Sequence, residues 1–192
     1  MKNKTKTLYE TKYLSLKSAP SPSGKGEWAY SHRPNVHDVV IIVPYINDDD
    51  GERVLFLKTK RPPLVAEGKS TFNIELPAGL VGDEDVTETL LGAAAKELSE
   101  EAGLKAERFE VATRKLSSSG GCTSEVCSVV IAYITDCFQC SCPQSDNGVI
   151  VDRVEVKLED IPQWLKEKEE EGCTIGAQTL SGLWHLSAKL GK

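Results

Sequence analysis

Hydrophobic and polar positions along the chain follow two periods, which predict a protein that contains both strands and helices. Eight runs are rich in apolar or β-branched residues and bounded by turn residues, a pattern typical of strands. They are TLYETKYLSLKS, EWAYSH, VHDVVIIVPYI, RVLFLKTKR, FNIELPAGLV, FEVATRKL, EVCSVVIAYIT and RVEVKL. The Asp50-Gly51 pair between the third and fourth runs predicts an antiparallel hairpin.

Helical spacing is clearest between about Thr87 and Ala102. Thr87 is the predicted N-cap, and Gly103 is the predicted stop at the other end. The apolar positions that we expect to face the core are Leu91, Ala94, Ala95, Leu98 and Ala102.

Two more helices are predicted near the end of the chain. DIPQWLKEKEEEG has Asp160 as its cap and Pro162 in its first turn, and the last helix runs from about Ala177 to Leu190. Strands on both sides of a central helix, with further helices after them, predict an α/β sandwich.

Composition narrows the class of protein. The 192 residues fit one main domain, and 40% hydrophobic with 27% charged residues is typical of a globular protein. The first residues include lysines but no apolar stretch of the secretory kind, and no run approaches the roughly 18 apolar residues of a membrane helix. We therefore expect a cytoplasmic protein without a membrane partner.

The net charge of −6 and the lack of a long basic run argue against a nucleic-acid partner. An acidic chain can still bind phosphates if metal ions mediate the contact. The cysteines offer a different metal hypothesis, since Cys137, Cys140 and Cys142 form a C-x-x-C-x-C cluster. The partner pair that structural zinc usually requires is missing, so reduced thiols are the preferred interpretation.

Three glutamates in KELSEEAGL provide the strongest candidate chemistry. Glu97, Glu100 and Glu101 share one face of the predicted helix, where like charges at this spacing repel one another. A solvated acidic face is one interpretation. The other is a site for a hard divalent cation such as Mg²⁺, which prefers oxygen ligands.

The spacing of residues over the longer segment 82–104 decides between these interpretations. Gly82, Glu88, Lys96-Glu97-Leu98, Glu100-Glu101 and Gly103-Leu104 resemble the Nudix box, G-x5-E-x7-R-E-U-x-E-E-x-G-U, where U is aliphatic. Only Lys96 departs from it, because the family has arginine there. The lysine keeps the charge but loses the planar fork that would orient the glutamates, so the resemblance implies a weakened metal site.

The resemblance implies a Nudix-type α/β/α sandwich with a mixed central sheet and Mg²⁺-dependent hydrolysis of a nucleoside diphosphate linked to another group. It implies that Glu97, Glu100 and Glu101 hold Mg²⁺, with Mn²⁺ as a substitute, and act in catalysis. It also implies that Glu88 holds the box together by ion pairing. Gly82 and Gly103 would allow the turns that flank the helix.

Flanking segments resemble the ADP-ribose pyrophosphatase branch of the family. ELPAGLV, Glu75 to Val81, implies that the carbonyl of Ala78 is another metal ligand. KRPP implies that Arg61 meets the diphosphate or the terminal ribose, with a surface charge as the alternative.

The N-terminal segment GKGEWAYSHR looks like the dimer-forming hairpin of that branch. Residues 1–35 would then be an N-terminal strand and hairpin element of a homodimer, and residues 36–192 the Nudix domain. Trp28 would stack on adenine with Arg33 as a cationic neighbour; the alternative for Trp28 is a partly buried core residue.

Downstream, SSSGGCTSE resembles the S-P-G-G-T-S-E loop of the branch, with Ser119 where proline usually lies. Glu125 is expected near the substrate or a metal, and a strand-edge charge is its alternative. Alignment on VEV makes Asp152 the predicted general base, with Asp146 in the SDNG loop as the alternative.

The resemblance therefore implies an ADP-sugar diphosphatase that splits ADP-ribose into AMP and ribose 5-phosphate. Two alternatives stay open. One is a Nudix hydrolase of another nucleoside diphosphate derivative, and the other is a Nudix-fold binding or regulatory protein that Lys96 and the short Asp152 have weakened.

Overall fold

The computed structural model describes residues 5–83, 85–135, 143–144 and 146–192 in two sheets with helices beside them. A small antiparallel sheet contains β1 (Lys6–Glu10), β2 (Ser15–Pro20) and β3 (Glu27–His32). The eight strands of the large sheet are β4 (Asp38–Asp48), β5 (Gly51–Thr59), β6 (Asn73–Glu75), β7 (Ala78–Val81), β8 (Arg108–Ser117), β9 (Val126–Ile134), β10 (Ile150–Lys157) and β11 (Thr174–Ile175).

The large sheet is mixed, as expected. Its strand order is β11-β6-β5-β4-β9-β8, with β10 also paired to β5 and β7 also paired to β4. The β4–β9 and β11–β6 pairs are parallel, and the other pairs are antiparallel. The helices of the described residues are α1 (Pro62–Ala66), α2 (Leu90–Glu97), a π-helix (Leu98–Ala102), α3 (Ile161–Glu170) and α4 (Ala177–Leu190).

Two hydrophobic clusters show that the large sheet lies between helical layers. Ile41 and Val43 of β4 belong to the cluster that contains Leu165 of α3 and Leu186 of α4. The alternate residues of β4, such as Ile42, belong to the cluster that contains Ala94 of α2 and Leu98 of the π-helix. Since successive side chains of a strand point to opposite faces, this confirms the α/β/α sandwich.

Several predicted elements are confirmed. The β4–β5 hairpin pairs Asp48 with Gly51 across its turn. Asp160 is the N-cap position of α3, and α4 has the predicted bounds. No helix of the described residues is long and apolar enough to cross a membrane.

The strand predicted over FNIELPAGLV is divided in two. β6 pairs with β5, whereas β7 pairs with β4, so the chain changes partners at Leu76-Pro77. Proline lacks an N–H group and cannot donate within a ladder. The Pro77 carbonyl still accepts a hydrogen bond from Ile42 N at 2.8 Å, which leads the chain into β7.

The start of the central helix was predicted too early. Thr89 is its N-cap, and its Oγ accepts a hydrogen bond from Gly92 N at 3.1 Å. Thr87 instead donates through its N–H and hydroxyl to Asp85. Two positions of the predicted apolar stripe, Leu91 and Ala95, are exposed, and Ala93 is buried in their place.

The same helix does not end as a regular α-helix. Residues 98–102 form a π-helix, which ends at Gly103 with φ 72°, so the predicted glycine stop is confirmed. An α-helical wheel therefore places Glu100 and Glu101 incorrectly relative to Glu97. Single π-turns inside helices are frequent at functional sites.

Candidate active site

A cleft of about 510 Å³ is lined by the end of β6, by β7, by the central helix (α2 and the π-helix) and by the N-terminus of α4. Its lining carries six carboxylates and two guanidinium groups. The carboxylates are Glu75, Asp83, Glu97, Glu101, Glu125 and Asp146, and the cations are Arg33 and Arg61. Negative charge therefore predominates where a phosphorylated ligand would have to enter.

Glu97 and Glu101 form what we call the acidic pair, which backbone contacts with β7 hold in place. Glu101 Oε2 accepts a hydrogen bond from Ala78 N at 2.9 Å. The Glu97 side chain lies so close to Gly79 that a Cβ atom there would come within 2.2 Å of it. Glycine at position 79 therefore creates the space that Glu97 occupies.

Burial makes the acidic pair costly as two anions. It raises the pKa of Glu97 to about 7, with repulsion from Glu100 as the next cause, while Lys96 opposes the shift. Burial also raises the pKa of Glu101 to about 7, although the bond from Ala78 N opposes this and the charge of Glu97 adds to it. At neutral pH a nearby cation would stabilise both carboxylates.

The donor set fits a hard divalent cation. Both side chains of the acidic pair offer oxygen atoms, which Mg²⁺ prefers, and Mg²⁺ usually takes one or two carboxylates plus substrate phosphates. Among the described residues, no three His, Cys, Asp or Glu side chains are gathered so as to hold an ion by themselves. An ion held here would therefore share its coordination with water, a backbone carbonyl or a ligand.

Both arginines of the cleft are already paired with carboxylates. Arg61 Nη2 lies 2.7 Å from Glu75 Oε2, and Arg33 Nε lies 3.0 Å from Glu125 Oε2. Arg61 is also the N-cap residue of α1 and lies two residues after the end of β5. A ligand phosphate that binds either guanidinium would compete with these carboxylates or join them through the free N–H groups.

A family model settles the class of the protein. The NUDIX domain model matches residues 36–171, more than half of the chain. The chain belongs to the Nudix family. No curated protein matches the sequence.

Solved structures share the Nudix fold at low sequence identity. An ADP compounds hydrolase is 19% identical with a TM-score of 0.71, covering 98% of this chain and 92% of its own. The NUDIX domain of Shewanella oneidensis NrtR complexed with ADP ribose is 17% identical with a TM-score of 0.57, covering 79% and 86%. A C. elegans Ap4A hydrolase binary complex is 19% identical with a TM-score of 0.50, covering 80% and 97%.

The remaining residues of the Nudix box occupy structural positions. Gly82 has φ 88°, and a Cβ atom there would lie 2.3 Å from the His37 ring, so both backbone and space require glycine. Glu88 Oε2 accepts a hydrogen bond from Gly82 N at 3.1 Å, which closes the loop before the helix. The carboxylate of Glu88 thus acts on a backbone amide of the box.

Glu100 lies beside the acidic pair, not among the residues that line the cleft. Its charge acts on Glu97, and its backbone carbonyl accepts a hydrogen bond from Gln144 N at 2.7 Å. The predicted metal-ligand role of Glu100 stays a prediction, as does that of the Ala78 carbonyl.

The loop between β8 and β9 is bound to β3 of the small sheet. Trp28 Nε1 donates to the Gly121 carbonyl at 2.7 Å, and Ser31 N donates to the Cys122 carbonyl at 2.8 Å. Trp28 is 56% exposed, and its predicted stacking role stays a prediction. Its ring does not line the cleft.

The two candidate bases are placed differently. Asp152 lies on β10 opposite Lys58, is exposed and does not line the cleft. Asp146 lines the cleft, and its charge acts on Glu97, Glu101 and Arg61. The carboxylate that the V-E-V alignment selects therefore lies outside the cleft lining, and its role as general base stays a prediction.

Sequence reasoning missed four other polar residues of the cleft. Glu75 stands first in the quoted ELPAG segment, so the motif itself was a signal for it. Asp83 follows the first glycine of the box, while Gln178 and Thr179 lie in the first turn of α4. The predicted cysteine cluster at positions 137, 140 and 142 lies outside the described residues.

Proposed function

We propose that this protein is a Mg²⁺-dependent hydrolase of ADP-ribose or related ADP-sugars, which yields AMP and a sugar phosphate. The observation that carries the proposal is the presence of the acidic pair and of two arginines in one cleft of a Nudix-family chain. Carboxylates to hold a divalent cation and guanidinium groups to bind phosphate are the two requirements of diphosphate hydrolysis.

The acidic pair would hold the metal, with Glu100 and the Ala78 carbonyl as further proposed ligands and Mn²⁺ as a substitute. A bound divalent ion supplies neutralisation of the diphosphate charge and acidifies water. The raised pKa values of the acidic pair, about 7 each, support this assignment because two crowded carboxylates gain most from a cation.

The other residues of the cleft would bind the substrate and accept a proton. Arg61 and Arg33 would orient the diphosphate and the terminal ribose, with Glu125 setting the position of Arg33. Trp28 would provide a face on which adenine stacks. Asp146 would take the proton of the attacking water. The water oxygen bonds to one phosphorus of the diphosphate, the bond from that phosphorus to the bridging oxygen breaks, and the bridging oxygen leaves with the other phosphate group.

An ADP-containing substrate is supported by the solved neighbours, one of which is an ADP compounds hydrolase and another a complex with ADP ribose. A homodimer through residues 1–35 is part of the proposal, in a protein of the cytoplasm. The small sheet and the connection between β1 and β2 expose large apolar side chains that a second copy would cover. They are Leu8, Tyr9, Tyr13, Leu14 and Leu16.

A substrate panel tests the proposal. The purified protein is incubated with Mg²⁺ or Mn²⁺ and with ADP-ribose, ADP-glucose, GDP-mannose, UDP-glucose, a dinucleoside polyphosphate or an NTP, and the products are separated by chromatography. Release of AMP from the ADP-sugars at the highest kcat/KM is the expected result. Preference for a non-adenine substrate would contradict the substrate class, and binding of ADP-ribose without turnover of any compound would favour a regulatory Nudix protein.

A further inference from the structure

Arg153 of β10 joins two segments of the site that are distant in sequence. Its backbone pairs with Leu57 of β5, and its half-buried side chain extends towards the end of the π-helix. Nε donates to the Glu101 carbonyl and Nη2 donates to the Gln144 carbonyl. One guanidinium therefore contacts the backbone of an acidic-pair residue and the backbone two positions before Asp146.

The backbone carbonyls at the C-terminal end of the π-helix need hydrogen-bond donors from elsewhere in the chain. The last carbonyls of a helix have no partner within it. At the end of the π-helix, Gly103 N points to the carbonyls of Leu98 and Ser99. The Glu100 carbonyl instead accepts from Gln144 N at 2.7 Å, and the Glu101 carbonyl accepts from Arg153.

Gln144 is consequently held through both of its backbone polar groups. Its N–H donates to the Glu100 carbonyl, and its own carbonyl accepts from Arg153. The three contacts form a closed arrangement of β10, the π-helix and residue 144. Asp146 follows two residues later and lines the same cleft as Glu97 and Glu101.

We propose that Arg153 is a positioning residue, which sets the distance between Asp146 and the acidic pair by holding the backbones of Gln144 and Glu101 together. The inference rests on the proposed hydrolase function. A general base must lie within hydrogen-bond reach of its water, and a displacement of about 1 Å can cost about 100-fold in rate. Lysine would replace the arginine only in part, because one ammonium keeps the charge and a donor but lacks the planar fork that reaches two carbonyls.

Steady-state kinetics of Arg153→Met test the positioning role. The methionine keeps an unbranched stem but removes both donors, so kcat should fall about 100-fold while KM stays within about threefold. Arg153→Lys should recover part of the rate. The matched control is Arg114→Met, which changes an exposed arginine of β8 and should leave both constants unchanged.

A double variant then shows whether Arg153 acts through Asp146. Arg153→Met/Asp146→Asn should be no slower than Asp146→Asn by more than about twofold, because the base is already lost. Multiplied losses, a rise of KM with unchanged kcat, or near-normal kcat in Arg153→Met would overturn the inference. If Arg153→Met does not fold, Arg153→Lys replaces it in both measurements.

Hydrogen exchange separates this inference from the proposed function. The Gln144 amide should exchange faster in Arg153→Met, or in Arg153→Lys, than in the wild-type protein and in Arg114→Met. That result without any diphosphate turnover would refute the hydrolase function and retain the positioning role. Unchanged exchange at Gln144 in an active enzyme would refute the positioning role alone.

Discussion

Glu97 and Glu101 in one part of the cleft are crowded, half-buried carboxylates, whereas Arg33 and Glu125 in another part already form an ion pair at 3.0 Å. The acidic pair has raised pKa values because its surroundings disfavour two negative charges. The Arg33–Glu125 pair needs no added ion. A cation would therefore be bound where charge is unbalanced, and substrate would be recognised where charge is balanced.

The largest expected effect comes from the acidic pair. Glu101→Gln keeps the acceptor for Ala78 N but removes the charge, so kcat with ADP-ribose and Mg²⁺ should fall by about 10³-fold or more. The control Glu170→Gln, on the exposed face of α3, should keep wild-type kinetics. A comparable loss in the control would mean that removal of any carboxylate, not of the acidic pair in particular, lowers turnover.

The choice of base gives the next largest effect. Asp146→Asn should lower kcat by about 100-fold, the lower end of the range for general-base catalysis. Asp152→Asn should change kcat by less than about twofold, because its side chain lies outside the cleft. Rapid-quench or steady-state measurements with the reverse ranking would restore the assignment made from the V-E-V alignment.

A smaller effect is expected where the substrate is recognised. Trp28→Ala should raise KM for ADP-ribose about tenfold with little change in kcat, since loss of one stacking contact costs about 1–3 kcal/mol. Trp184→Ala removes another exposed tryptophan, on α4, and serves as the matched control. Equal KM values for the wild type and Trp28→Ala would remove this residue from the substrate site.

The smallest effect concerns Lys96, the one departure from the Nudix box. Lys96→Arg restores the planar donor of the family and should leave kcat/KM equal or up to about threefold higher. A large loss in the same assay would show that the lysine has a role of its own in this chain.

Sequence patterns predicted the elements that have strong end signals. Asp160 with Pro162 located α3, Gly103 located the end of the central helix, and the hairpin needed only its turn pair. The box glutamates were identified as a set because they occur at fixed spacing. These features depend on local chemistry, which a single sequence records directly.

Features that depend on tertiary contacts were not predicted. The sequence LSEEA contains no signal that predicts a π-helix. Two of its carbonyls accept hydrogen bonds from residues 144 and 153, which are distant in the chain. The change of partner at Pro77 depends on which strands lie beside it. Which of the two candidate aspartates lines the cleft could not be read from motif alignment for the same reason, since the course of the chain around β10 decides it.

Thermal melting with and without Mg²⁺ tests the central claim, that the acidic pair is arranged for a cation. Folding raises the pKa of both carboxylates from 4.5 to about 7. Their stabilising contribution is therefore complete below pH 4.5 and is lost as the pH rises through about 7. In metal-free protein, Glu97→Gln/Glu101→Gln should melt above the wild type at pH 8 by about 3 °C, roughly 1 kcal/mol after solvent screening, and the gap should close by pH 5.

Mg²⁺ at pH 8 should raise the melting temperature of the wild type and not that of the double glutamine variant. If Mg²⁺ raises both melting temperatures equally, or neither, the acidic pair does not hold the ion and the account is wrong.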